Sequence, residues 1–140
     1  MLMSKKFKAM VLSCMDPRFQ PLVFNYLNKK GLKRKYSAFT IAGAAVGVTH
    51  NKFKKWHTTF IENLATSIEL HKIEKLIVIN HRDCGAAKIA NGKKEFSLAN
   101  ENHIHKTSFK SLKKILKKKF PKLKVEFNLM GLDKKVQKFI

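Results

Sequence analysis

Arginine is scarce in this chain, acidic residues are outnumbered and long apolar runs are missing. The apolar stretches, such as "AMVL" and "LIVI", are of strand length, which excludes a segment of the roughly 18 to 20 apolar residues needed to span a bilayer. Cysteine is equally sparse. A chain of 140 residues buries about two thirds of its unfolded surface and folds without staples. The 2 cysteines therefore read as thiols, thiolates or metal ligands rather than as a structural bridge. No repeat, linker or low-complexity tract divides the sequence, so a single domain over residues 1–140 is expected. The amino-terminal "MLMSKKFKAMVLSC" lacks the long apolar core of a signal peptide, because Lys5, Lys6 and Lys8 interrupt it. The expectation is a soluble, cytoplasmic protein with no membrane partner.

What the chain has in excess is lysine. There are 30 basic against 9 acidic residues, a net charge of +21, and a surface of that sign attracts polyanions by counterion release. The lysines are spread along the whole chain, however, without an aromatic RNA-binding pattern or zinc-finger spacing. A compositional drift towards Lys, Asn, Ile and Phe accounts for them equally well, and no specific nucleic-acid partner is expected. The lysine run at 110–119 reads as a solvated helix face. The arginines are more informative: of 3 in the chain, against 27 lysines, Arg18 lies in "LSCMDPRF" and Arg82 in "INHRDCGA". Arg34 falls in a basic turn. A guanidinium offers a planar fork of donors that matches a carboxylate, which an ammonium cannot copy.

The hydrophobic pattern alternates between strands and helices. Strands are expected at 7–14, from 36, at 75–80 and at 124–131, and the second runs on into a small-residue loop reaching residue 48. Helices are expected at 19–30, ended by Gly31, at 56–72, after Gly85, and at 105–120, ended by Pro121. "NGKKEFSLANEN" reads as a polar loop, and the last nine residues carry no clear signal. Alternating strands and helices make an α/β fold with a parallel sheet. In such sheets ligands collect beyond the carboxyl ends of the strands, which is where "LSCMDPR" and "INHRDCG" fall.

If the two strands are neighbours, Cys14, His81 and Cys84 supply two thiolates and an imidazole. That set suits zinc, which takes sulfur and nitrogen tetrahedrally and keeps an open position when catalytic. Asp16 and Arg18 lie just beyond Cys14, so a bidentate pair can hold the carboxylate beside the metal. Asp16 can orient a zinc-bound hydroxide or swing in as a fourth ligand. Zinc brings the pKa of its bound water to about 7.

With "CMDPR" and "HRDCG" in hand, the sequence resembles the beta-class carbonic anhydrases, whose Cys-x-Asp-x-Arg and His-x-x-Cys-Gly motifs stand at these places. "FTIAGAAV" resembles the family's Ala-Gly loop and "ATSIELHKIEKLIVINH" its helix and strand before the histidine. The resemblance covers roughly residues 7–130. It implies a three-layer-like α/β fold, a parallel sheet of order 2-1-3-4 flanked by helices. It implies Zn2+ on Cys14, His81 and Cys84, an Asp16/Arg18 catalytic dyad, and a lyase that hydrates carbon dioxide reversibly to bicarbonate through zinc-bound hydroxide. It also implies a homodimer or higher homo-oligomer whose cleft is partly walled by a neighbouring subunit. Members usually carry an Arg-Asn pair where this chain has Thr40 and Ile41, and their amino-terminal helical arm has no expected counterpart here.

Other readings compete. The cysteines can be buried apolar residues, or the chain can be a zinc-stabilised non-catalytic or binding homologue. It can also be a hydrolase of another small molecule such as carbon disulfide. Asp16 before Pro17 can form a turn or cap a helix. His103 and His105 in "NHIH" read as surface histidines, and His50, His57 and His71 as surface or helix-face residues.

Overall fold

Strands β1 (Ala9–Ser13) and β3 (Lys75–His81) are buried almost end to end, as expected of central strands covered on both faces. A computed structural model describes residues 6–139; the first five residues of the segment read above as lacking a signal peptide lie outside them. With β2 (Tyr36–Thr40), β4 (Lys124–Met130) and β5 (Val136–Phe139), these strands form one sheet of order β2-β1-β3-β4-β5. The first four run parallel in the order 2-1-3-4, and β5 adds an antiparallel edge. The weakly patterned carboxyl-terminal stretch is thus a strand, paired through Met130 and Val136.

Side chains alternate across this sheet. Ala9, Val11, Ile77 and Ile79 pack with Phe19, Val23 and Leu27 of the segment around helix α1 (Gln20–Lys29). Met10, Leu12, Leu76 and Val78 face the opposite way, towards helices α2 (Ala45–Thr49), α3 (Lys54–His71), α4 (Gly85–Ala90) and α5 (Leu98–Lys119). The result is three layers. Among the described residues no helix is long and apolar enough to cross a membrane.

Several boundaries differ from the sequence reading. The loop expected after β2 contains the short helix α2, and α5 starts at Leu98 rather than at residue 105 because Ser97 Oγ accepts the Asn100 amide at 3.1 Å. Its buried stripe therefore gains Glu101 and His105, so His105 is a core residue while His103 is exposed. In α3 the inward residues are Phe60, Leu64 and Ser67, and Leu70 lies half exposed. The lysines of the 110–119 run are exposed, as a solvated face requires.

Candidate metal centre

The parallel pairing of β1 with β3, register Ser13↔Ile79, brings two chain segments together at one end of the sheet. Cys14 follows β1 directly, His81 ends β3, and Cys84 caps the short helix α4. All three are buried, and Cys14 Sγ, a ring nitrogen of His81 and Cys84 Sγ lie within 4.8 Å of one another.

The histidine is prepared to offer a lone pair. Its Nδ1–H donates to the Arg82 carbonyl at 2.7 Å, which fixes the tautomer and leaves Nε2 as the bare nitrogen. Phe19 stacks on the ring, centroids 4.0 Å apart. Nε2 is buried without a hydrogen-bond partner, a condition that costs about 1–3 kcal/mol unless something compensates it. The nearest charged oxygen is Asp16 Oδ2 at 3.8 Å.

The sulfurs are electrostatically unequal. Cys14 accepts from the Cys84 thiol and from the Gly43 amide at 3.3 Å, and these bonds hold it well below the ordinary thiol range. Cys84 is pushed up, by donating to that sulfur and by burial. Ionisation of either thiol thus opposes that of the other, and a dication between them would relieve that repulsion. Two sulfurs and an unpartnered imidazole nitrogen thus fit a borderline-soft divalent metal.

Asp16 sits over this group, clasped by Arg18. The Arg18 amide and Nε donate to Oδ1 at 2.9 and 3.2 Å, and Nη2 donates to Oδ2 at 2.8 Å. The guanidinium is the main reason that the Asp16 carboxyl is held below the usual carboxylate range. The bidentate pair expected from the sequence forms, and Asp16 makes an Asx-type turn rather than capping α1, whose N-cap is Phe19.

The structure adds residues that sequence reasoning missed. Asp83, in a left-handed conformation with φ 55°, accepts from Arg18 through its side chain and its backbone carbonyl. The Glu101 carboxylate, buried on α5, takes the Asp83 amide at 2.7 Å and Arg82 Nη1 at 2.9 Å. Arg82 therefore braces the loop from behind. Asn80 Oδ1 accepts the Ala45 amide at 3.0 Å and so supports the end of the Ala-Gly loop, whose Ala44 amide is held by the Ile41 carbonyl at 3.1 Å. Gln20 Nε2 reaches the Cys14 carbonyl at 2.7 Å. The spacing of Asp83 beside Cys84 was visible in sequence; the reach of Glu101 and Asn80 depends on where α5 begins and how the loop turns. Among the other histidines, His50, His57 and His71 are partly buried and none belongs to the cluster.

Comparison with known proteins bears on this geometry. The model of a family described as "Putative carbonic anhydrase" matches residues 3–134. Uncharacterized proteins of Rickettsia conorii and Rickettsia bellii are each 30% identical over 125 residues, which is 89% of this chain and 67% and 76% of theirs. Among solved structures, a mutant of the beta-carbonic anhydrase CafD of Aspergillus fumigatus superposes with a TM-score of 0.63 at 10% identity, covering 96% of this chain and 90% of that one. The beta-carbonic anhydrase CafA of the same fungus gives 0.59 at 11%, with 96% and 76% covered. A tetrameric beta-carbonic anhydrase of Sordaria macrospora gives 0.57 at 12%, with 96% and 81% covered. At these identities the structures speak for the fold.

Proposed function

The chain belongs to the carbonic anhydrase family so matched, and on that premise we propose that it is a zinc-dependent lyase. Its reaction is the reversible hydration of carbon dioxide to bicarbonate. One observation carries the reading: the buried His81 Nε2 without a partner, grouped with Cys14 and Cys84 and overlooked by an Arg18-held Asp16. Cys14, His81 and Cys84 would hold the metal. Bound zinc supplies Lewis acidity that makes water a competent nucleophile near neutral pH.

The remaining roles fall to the chain's own side chains. Asp16 reaches the space beside His81 Nε2, so its carboxylate accepts a hydrogen bond from water there and orients it towards carbon. Because Arg18 occupies both oxygens, Asp16 stays ionised and serves to orient rather than to take the proton. In the balanced step CO2 + H2O gives HCO3− + H+: one C–O bond forms, one carbonyl π pair moves onto oxygen, and a proton leaves to solvent. The single domain over 1–140 is the working unit of this reading.

Two extensions belong with it. The tetrameric relative in Sordaria macrospora and the partly exposed edge strand β2, with Ala38 and Thr40 open, support a homo-oligomer, which sedimentation equilibrium measures. Free Cys14 and Cys84 suit a reducing, cytoplasmic setting.

Metal analysis with stopped-flow hydration of carbon dioxide tests the central claim. One zinc per chain with hydration above buffer supports it. Stoichiometric zinc without hydration from neutral to alkaline pH replaces the lyase with a metal-stabilised homologue, and no metal with both thiols freely titratable removes both.

A further inference from the structure

We propose that Asp83 is a positioning residue of this site: it grips the outer side of the Arg18 guanidinium, and so sets where Arg18 holds Asp16. The inference rests on the carbonic anhydrase reading for its catalytic consequence. Its structural content stands on distances alone.

Arg18 has five N–H donors in a rigid fork. Nε and Nη2 turn inward to Asp16, at 3.2 and 2.8 Å. The outward side goes to Asp83: Nη1 donates to Oδ2 at 2.9 Å and Nη2 to the backbone carbonyl at 3.0 Å. Arg18 is otherwise a surface residue, with 43% of its side chain exposed. An arginine so placed gains little from an exposed ion pair alone and samples several rotamers unless it is held at more than one point. With Asp83 in place it is held from two directions by segments 65 residues apart in the chain. Asp16 and Asp83 thus form two jaws around one guanidinium.

The second jaw is itself fixed. Asp83 has φ 55°, a left-handed backbone that costs most residues energy and that glycine adopts freely. A glycine would serve the turn, so what aspartate adds at this position is its carboxylate. Glu101, buried on α5, accepts the Asp83 amide at 2.7 Å and is paired with Arg82 at 2.9 Å. Lys88, one turn along α4, pairs with the free Asp83 oxygen. The backbone carbonyl and the side chain of Asp83 are thereby aimed together at Arg18. Since Asp83 lies between His81 and Cys84, the turn that presents two of the candidate metal ligands also places the clamp on the dyad.

A test follows from the backbone. Asp83→Gly and Asp83→Asn both tolerate positive φ, so they remove the carboxylate without breaking the turn; asparagine keeps one neutral acceptor. With only 3 arginines in the chain, the side-chain Nε–H signals in a proton–nitrogen NMR spectrum are few, and Arg18→Lys identifies the one belonging to Arg18. In the zinc-loaded protein, the expected result is a slowly exchanging Arg18 Nε–H whose exchange rises at least tenfold in Asp83→Gly and by less in Asp83→Asn. Zinc content should stay at the wild-type level. Hydration should lose roughly tenfold in kcat for Asp83→Gly, with KM within twofold and partial recovery in Asp83→Asn, a pattern that a general loosening of the loop would not give. An Arg18 Nε–H equally protected in wild type and Asp83→Gly overturns the proposal, whatever the activity. If the wild type binds zinc but does not hydrate carbon dioxide, the lyase reading fails instead, and the arginine signal still decides the clamp.

Discussion

Asn80 Oδ1 accepts the Ala45 amide at 3.0 Å, tying the end of β3 to the first residue of α2, where the Ala-Gly loop ends. That bond fixes the orientation of the amide, so Nδ2 must be the atom that donates to His105 Nδ1 at 2.8 Å and to Ser108 Oγ at 3.3 Å. Asn80 is 1% exposed, and one residue beyond it stands His81. Replacing it with alanine leaves the buried Ala45 amide and the His105 nitrogen without their partner. Each orphaned group costs about 1–3 kcal/mol. We expect Asn80→Ala to lose about 3 kcal/mol in urea unfolding of the metal-free protein, with an unchanged m-value.

The same loop explains a second sensitivity. A Cβ added at Gly47 would stand 2.0 Å from the Ala42 carbonyl oxygen, an overlap with backbone that no rotamer relieves. The loop must move, and it carries the Gly43 amide bonded to Cys14 Sγ. Gly47→Ala should therefore destabilise by about 3 kcal/mol or more, at or beyond the upper end of ordinary overpacking, and weaken zinc retention. Thermal unfolding and zinc content of the purified variant check both effects together.

His105 gives the fold an acid limit. Burial pushes its pKa down to about 4, against about 6.5 for an exposed imidazole. Glu101 opposes that shift, while His81 and Arg82 reinforce it. The unfolded chain takes up the proton first as pH falls, so the contribution of neutral His105 is fully present above about pH 6.5 and drains away between there and about pH 4. At about 1.4 kcal/mol per unit, the loss approaches about 3 kcal/mol. Unfolding free energies of metal-free wild type and His105→Leu, measured from pH 7 to pH 4, should converge by roughly that amount. Parallel curves would remove His105 as the cause.

How far the sequence carries one towards this structure depends on the range over which each contact acts. The strand ends bearing Cys14, His81 and Cys84 follow from local apolar runs and their polar stops, and the Asp16/Arg18 pair spans two residues, so periodicity and spacing mark these residues, while the adjacency of β1 and β3 was implied by the family resemblance alone. His105 illustrates the opposite case. The sequence pattern starts a helix only at 105 and leaves the histidines of "NHIH" on the surface, yet the capping of Ser97 on the Asn100 amide starts α5 early and turns His105 into the core. Asp83, Glu101 and Asn80 act across 65, 18 and 35 residues of chain. Those distances become contacts only once the β1–β3–β4 order and the position of α5 are set. Arg82, which shares a motif with the candidate ligands, pairs with Glu101, Asn102 and Gln137 and faces away from the sulfurs' chemistry.

The dyad itself is open to a direct measurement. Asp16 touches the candidate metal group only through its oxygen beside His81 Nε2, so Asp16→Asn preserves shape and removes a charge while leaving Cys14, His81 and Cys84 in place. Misplacing a reacting group by about 1 Å can cost about 10²-fold in rate. We expect kcat for carbon dioxide hydration to fall about a hundredfold in Asp16→Asn with one zinc still bound. Arg18→Lys should fall less, because an ammonium keeps the charge but loses the fork that meets both oxygens. Cys14→Ser should instead lose zinc and activity together. If Asp16→Asn retained full activity with zinc in place, orientation of water would have to come from another group, and the Arg18 clasp would be structural.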